Sequence, residues 1–192
     1  GIEAGRVHYV GNVMIDTLLD NLKRAVPAAA TLAARVGGAL DAYGVVTLHR
    51  PSTVDDKEIL TGVLDALCTI SQRLPLVFPV HPRTRARIEE FDLLARIARS
   101  GIKLIAPLGY LEMLGLTRDA KCVLTDSGGL QEETTALGIP CITLRENTER
   151  PITITEGTNT LVGRDSAKIL AAFDDIVANG GKRGRIPAMW DG

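Results

Sequence analysis

The stretch Leu124-Thr125-Asp126-Ser127-Gly128-Gly129-Leu130-Gln131-Glu132-Glu133 carries the strongest chemical signature of the chain. A short apolar run enters Ser-Gly-Gly and leaves as an amphipathic segment, the order of a strand followed by a helix. Free backbone N–H groups and the positive end of the helix dipole at such a start bind phosphate, and glycines let an anion approach the backbone closely. The same letters also suit a plain helix start, with Ser127 as the cap and the glycines as a tight turn. Both readings stay open. Glu132 and Glu133 suit a first helical turn through the dipole alone. Glu133, four residues after Gly129 and so on the same face, also suits a vicinal diol, because one carboxylate accepts two hydroxyl hydrogen bonds.

Three further loops carry histidine or arginine beside proline: Thr47-Leu48-His49-Arg50-Pro51, Val80-His81-Pro82-Arg83, and the segment from Arg145 through Glu149-Arg150-Pro151. Pro51 and Pro151 bias Arg50 and Arg150 toward extended backbone. An arginine held so at a strand end suits phosphate or carboxylate recognition, or simply a solvated surface. His49 and His81 suit contact with a ligand and a structural hydrogen bond about equally.

Elements must bring these loops together. Apolar, β-branched runs at residues 7–10, 45–48, 76–80, 102–105, 122–124, 141–144 and 160–162 read as strands buried on both faces. Amphipathic stretches at 14–24, 28–36, 55–73, 83–100, 111–118, 130–137 and 166–178 read as helices. In 55–73, Ile59, Val63, Leu64, Leu67 and Ile70 share one helical face. Gly138-Ile139-Pro140 reads as a helix stop before the next strand. This alternation predicts an α/β fold, a Rossmann-like doubly wound parallel sheet spanning 1–192 as one domain. Ligands of such sheets bind beyond the carboxyl ends of the strands, where all four loops fall. The turn-rich tail at 179–192 reads as a surface connection.

With 22 Lys+Arg against 23 Asp+Glu over 192 residues, the net charge is -1. That balance argues against a broad nucleic-acid or anionic-membrane footprint. No apolar run reaches the length of a membrane span. Cys68, Cys122 and Cys141 show no CxxC spacing, and the apolar runs around Cys122 and Cys141 suggest buried free thiols in a reducing compartment. The three histidines form no cluster with cysteine, so no metal is expected and no cofactor is implied. Gly1 stands where no initiator Met or signal peptide is seen, and the expectation is a start inside a longer protein.

Gly11-Asn12 through Ile15-Asp16, His49-Arg50, Pro79-Val80-His81-Pro82-Arg83, the TDSGGLQEE string from Thr125, LGIPCITLRENTERP from Leu137 and EGTNTLVG from Glu156 together resemble the non-hydrolysing UDP-N-acetylglucosamine 2-epimerases. The resemblance covers nearly the whole chain. It implies the C-terminal, UDP-holding half of a GT-B (two-Rossmann) architecture, with the N-terminal domain and a last helix lying outside this chain. It implies nucleotide-sugar binding by His49, Ser127, Gly128, Gly129, Glu133 and Arg150. It further implies that Arg50 and His81 match positions touching a second, allosteric UDP-N-acetylglucosamine in bacterial members. The reaction implied is inversion at C2 by elimination and re-addition of UDP, interconverting UDP-GlcNAc and UDP-ManNAc in the cytoplasm for cell-surface polysaccharide. His49 would be the catalytic residue on this side, in a homodimer at full length. The pattern departs at Leu108 and Met113, where many relatives carry a Gln and an aromatic residue, and at Pro51-Ser52, where Arg-Glu is commoner. Three alternatives stand beside this: a hydrolysing 2-epimerase, a GT-B glycosyltransferase domain, and a nucleotide-sugar-binding module without chemistry.

Overall fold

Six of the apolar runs pair edge to edge in a computed structural model that describes residues 1–8 and 10–191. They are β1 (Gly44–Thr47), β2 (Leu76–Pro79), β3 (Ile102–Ile105), β4 (Cys122–Thr125), β5 (Cys141–Thr143) and β6 (Asn159–Leu161). All pairings are parallel, in the order β3-β2-β1-β4-β5-β6. The order runs outward both ways from β1 and β4, so connections diverge there and leave a crevice at the strand ends.

Between and around the strands lie α1 (Val13–Leu22), α2 (Ala28–Val36), α3 (Pro51–Val54), α4 (Lys57–Ser71), α5 (Pro82–Glu90), α6 (Leu94–Ala98), α7 (Tyr110–Arg118), α8 (Gly128–Leu137), α9 (Pro151–Thr155) and α10 (Ser166–Asn179). Successive strand residues point to opposite faces, so neighbours in sequence feed different layers. Val46, Phe78, Leu124 and Ile142 pack with Leu64 and Leu67 of α4 and Phe173 of α10. Val45, Val77, Val123 and Cys141 pack with Leu32 of α2 and Leu116 of α7. Inner strands covered on both faces show why their runs are nearly continuously apolar, and the Rossmann-like doubly wound expectation is borne out.

Several boundaries differ from the expectation. Of the run 7–10, Val7, His8 and Val10 enter no strand, and Tyr9 lies outside the described residues. α4 begins at Lys57 because Asp56 caps it, accepting from Glu58 N at 2.9 Å and Ile59 N at 3.0 Å. Leu60 is fully buried there while Ile59 is only half-buried. The single helix expected over 83–100 is two, broken where Asp92 takes a left-handed φ of 60°. Pro51 and Pro151 each open a short helix, since a proline at the first helical position has its φ pre-set and no N–H to waste. Arg50 before Pro51 is extended as expected, with ψ 133°, whereas Arg150 before Pro151 departs from it, with φ -122° and ψ 58°. Gly138 does stop α8, with φ 69°.

The tail is exposed over 183–186, as a surface connection should be, but its end is anchored. Trp190 is 4% exposed and packs with Ile15 and Leu18 of α1 and Leu114 of α7. Arg185 N donates to Glu156 O at 2.8 Å, which draws the tail back across the molecule. An indole has enough apolar area to make burial outweigh the ordering of a turn-rich segment. Among the described residues no helix is long and apolar enough to cross a membrane. Replacing Trp190 by Ala is expected to cost about 3–5 kcal/mol of unfolding free energy, read from urea midpoints. A loss under about 0.5 kcal/mol would return the tail to the surface.

Candidate functional site

The register of β1 on β4 sets Thr47 opposite Thr125, and their hydroxyls meet at 2.6 Å. The next residues of both strands are therefore side by side. Asp126 follows Thr125 and is fully buried, yet its carboxylate has three nitrogens on it. His49 N donates to Oδ2 at 3.0 Å, Arg50 N donates to Oδ2 at 2.8 Å, and His49 Nδ1 lies 2.8 Å from Oδ1. Arg50 Nε returns a hydrogen bond to Asp126 O at 3.2 Å. With Nδ1 directed at the carboxylate, Nε2 is the free nitrogen of a ring whose side chain is 41% exposed.

Ser127 holds the N-cap position of α8 with φ -80° and ψ 131°, but its hydroxyl caps no helix amide. Neither Gly128 nor Gly129 has a left-handed φ. A Cβ on Gly128 would meet nothing nearer than Arg50 Nη2 at 4.0 Å, and one on Gly129 nothing nearer than Met14 Cε at 3.6 Å. The cap-and-turn reading thus lacks both its hydrogen bond and its backbone requirement. What the glycines leave is open space over the first-turn amides, which have no acceptor within the helix.

The loop after β5 is fastened to α8 by polar side chains. Gln131 Oε1 accepts from Thr148 Oγ1 at 2.6 Å, and Thr148 Oγ1 accepts from Arg150 N at 3.0 Å. Gln131 Nε2 donates to Ser127 O at 3.1 Å. Asn159 Nδ2 donates to Gln131 O at 3.0 Å and Thr135 Oγ1 at 3.1 Å, while its Oδ1 accepts from Thr143 at 3.0 Å. Arg145, 8% exposed, is closed bidentately on Glu149 at 2.7 and 2.8 Å. That guanidinium holds the Glu149 carboxyl well down, at about 2. Arg150 Nε lies 3.1 Å from the buried carboxylate of Glu132, which also accepts from Asn12 Nδ2 at 3.0 Å. Arg150 is therefore neither a bare cation nor simply solvated.

Glu133, one turn into α8, is half-buried beside Tyr110. Burial first, and the neighbouring Glu132 after it, push its carboxyl up to about 7 against the opposing hydrogen bond of Tyr110. His81 caps α5, its Nδ1 accepting from Arg83 N at 3.2 Å, with its ring 6.0 Å from that of His49.

A cavity of about 310 Å³ gathers His49, His81 and Ser127 against an apolar wall that includes Leu108, Met113 and Leu130. Arg50 instead faces a second hollow with Ser52, Arg145, Glu146 and Arg164, and Arg150 a third with Asn12, Glu132 and Trp190. The sequence-derived candidates thus fall into a central group with α8 between two flanking arginines. The contacts of Asp126, Gln131, the Arg145–Glu149 pair and Tyr110 were not foreseen from the sequence, although Asp126 and Arg145 lie in loops it singled out. Asp126 left a signal as a carboxylate at a strand end before Ser-Gly-Gly, and Arg145 as an arginine in the loop after the next apolar run. Cys122 and Cys141 are buried free thiols, each pushed up to about 12, chiefly by burial. Among the described residues no three His, Cys, Asp or Glu side chains are grouped to hold a metal.

Residues 1–189 match the sequence model of the family described as UDP-N-acetylglucosamine 2-epimerase. A UDP-N-acetylglucosamine 2-epimerase of Methanocaldococcus jannaschii is 42% identical over 178 residues, 91% of this chain and 49% of that protein. A UDP-2,3-diacetamido-2,3-dideoxy-D-glucuronate 2-epimerase of Pseudomonas aeruginosa is 40% identical over 163 residues, 84% of this chain and 43% of that one. The crystal structure of the Methanocaldococcus jannaschii UDP-GlcNAc 2-epimerase in complex with UDP-GlcNAc and UDP superposes with a TM-score of 0.86 at 39% identity, covering 97% of this chain and 52% of that one. The chain spans about half the length of these relatives. It belongs to the UDP-N-acetylglucosamine 2-epimerase family.

Proposed function

We propose that this chain is the UDP-holding half of a 2-epimerase that interconverts UDP-GlcNAc and UDP-ManNAc by elimination and re-addition of UDP. The observation that carries the reading is the uncapped, sterically open start of α8 beside His49, at the point where strand order reverses. The diphosphate would lie on Ser127, Gly128 and Gly129, the ribose on Glu133, and the base along the wall of Leu108 and Met113. His49 Nε2 would face the bond to departing UDP. Arg150, steadied by Glu132, and Arg50, leaning over Gly128, would supply charge from the flanks, and Arg50 and His81 would meet a second UDP-sugar. The C2 proton is not acidic, so its removal needs a base held across the sugar from the diphosphate. The carboxylates here sit at the diphosphate and ribose end, and that base would come from the facing domain of a GT-B pair. The substrates and the free thiols suit the cytoplasm, and the full-length protein would be a homodimer.

A second reading keeps the same site with a different sugar, a UDP-2,3-diacetamido glucuronate, because the relative bearing that name is nearly as identical as the first. Isothermal titration of this chain with UDP, UDP-GlcNAc and pyrophosphate tests the site itself; no heat from either nucleotide would overturn it. In the full-length protein, nucleotide-sugar recovered intact after turnover, with no free UDP accumulating, separates this reaction from a hydrolysing epimerase or a glycosyltransferase.

Ionised Glu133 is what a ribose diol needs, and burial opposes that ionisation. Its carboxyl, at about 7 in the fold against 4.5 ordinarily, binds its proton more tightly folded than unfolded. The stability this gives is complete below about 4.5 and lost as pH rises through about 7. Glu133→Gln is therefore expected to raise unfolding free energy at pH 8 by up to about 3 kcal/mol and to change little at pH 4.5. The same variant is expected to weaken UDP about tenfold at pH 8 while sparing pyrophosphate, and to flatten the fall in UDP affinity between pH 8 and 6. Equal losses for both ligands would remove the ribose from Glu133.

Gly128→Ala and Gly129→Ala have room for their methyl groups and sit in a helical first turn, so stability is expected to hold within about 1 kcal/mol. UDP affinity should fall tenfold or more, since each methyl enters the space over the amides; unchanged affinity in both would place the diphosphate elsewhere. This chain alone, incubated with UDP-GlcNAc in D₂O, is expected to place no deuterium at C2, measured by mass spectrometry. Exchange above a His49→Ala control would move the C2 chemistry into this domain.

A further inference from the structure

Resting on that reading of the site, we propose that Asp126 is a positioning residue for His49, fixing the ring in the Nδ1–H tautomer so that Nε2 presents a lone pair, or on protonation a charged donor, to the diphosphate. A carboxylate with no exposed surface needs donors for both oxygens. Oδ2 has two, the amides of His49 and Arg50 at 3.0 and 2.8 Å, and these suffice to close the loop after β1 on the loop after β4. Oδ1 is left to a longer contact with His49 N at 3.2 Å and to the ring Nδ1 at 2.8 Å. The ring contact is thus a demand separate from loop closure. Because one carboxylate grips both the backbone and the ring of His49, the rotamer and the tautomer are set together.

His81, across the same cavity, is set the opposite way. Its Nδ1 accepts from Arg83 N, so its neutral ring carries the proton on Nε2 and can only donate there. Two rings 6.0 Å apart therefore offer unlike nitrogens, a fixed donor on His81 and a proton-exchanging nitrogen on His49. Of the charged side chains on these loops, Arg50 bonds Asp126 O through Nε, Arg145 is committed first to Glu149 and only last to Asp126, and Arg83 is bonded to Asp55. None of these competes for Oδ1.

Asp126→Asn separates positioning from loop closure. An amide oxygen in place of Oδ2 keeps both backbone donors, while its NH₂ in place of Oδ1 donates to the ring Nδ1 and drives the proton to Nε2. The experiment is long-range ¹H–¹⁵N correlation of the histidine rings of this chain without ligand, assigned with His49→Asn and His81→Asn. The expected result is Nδ1–H for His49 and Nε2–H for His81, with Asp126→Asn converting His49 to Nε2–H. An Nε2–H form for His49 in the unsubstituted chain, or no change of tautomer in a folded Asp126→Asn, would overturn the assignment. The tautomer of the unsubstituted chain decides the matter by itself if that variant does not fold. These spectra need no nucleotide, so failure to bind UDP would defeat the functional reading and leave the positioning of His49 standing.

Discussion

A fully buried carboxylate is hard to keep in a protein, and Asp126 is kept by donors that come from a loop 77 residues earlier in the chain. Its demand for partners ties the end of β1 to the end of β4, where a doubly wound sheet otherwise splays its connections apart. The His49 loop and the start of α8 are then held as one surface. Loss of this closure would leave the charge without partners in the interior, a far larger penalty than the gain from any one surface ion pair. The cavity, the placement of Arg50 over Gly128 and the direction of the His49 ring all follow from it.

The second organising feature is that α8 is polar where it is buried. Gln131, Thr134 and Thr135 are inaccessible, and each is matched by hydrogen bonds to Asn159, Thr148 or the helix itself. Each such bond adds about 1 kcal/mol net, which aliphatic packing could equal. Their directionality is what packing could not supply, because it sets the loop of Arg145–Pro151 at one angle to the helix start. Glu132 extends the same network to Asn12 at the head of α1, so the entry of the chain, the helix that offers its amides and Arg150 are coupled through one buried carboxylate.

Two glutamates near this helix show how environment divides the work. Glu149 is bonded by Arg145 and stays ionised far into acid, a fixed charge that neutralises a buried guanidinium. Glu133 is half-buried without a cation and titrates near neutrality, a charge the fold accommodates only at some cost. A group held against its own preference suits a ligand that rewards ionisation, and a diol's two hydroxyls do so.

Much of this was legible in the sequence, for reasons that are local. Parallel strands covered on both faces must be nearly continuously apolar, so the inner strands β1, β2, β4 and β5 could be read directly, and the edge strands β3 and β6, with Lys103 and Asn159, through their alternation with helices. The helix start at Ser127-Gly128-Gly129, with Glu133 one turn in, could be read because a helix start and its first turn lie within one contiguous stretch. The partners of Asp126, Gln131 and Glu132 could not, since strand register and loop path decide which residues 77, 17 or 120 positions apart come within 3 Å. The same holds for Trp190, whose turn-rich neighbours read as surface until α1 and α7 offer it a pocket. Short-range chemistry, helix ends and burial alternation, belongs to the sequence by itself. The ring orientation of His49, the pairing of Arg150 with Glu132 and the burial of Trp190 belong to tertiary structure, because each depends on a contact between segments whose meeting no local pattern encodes.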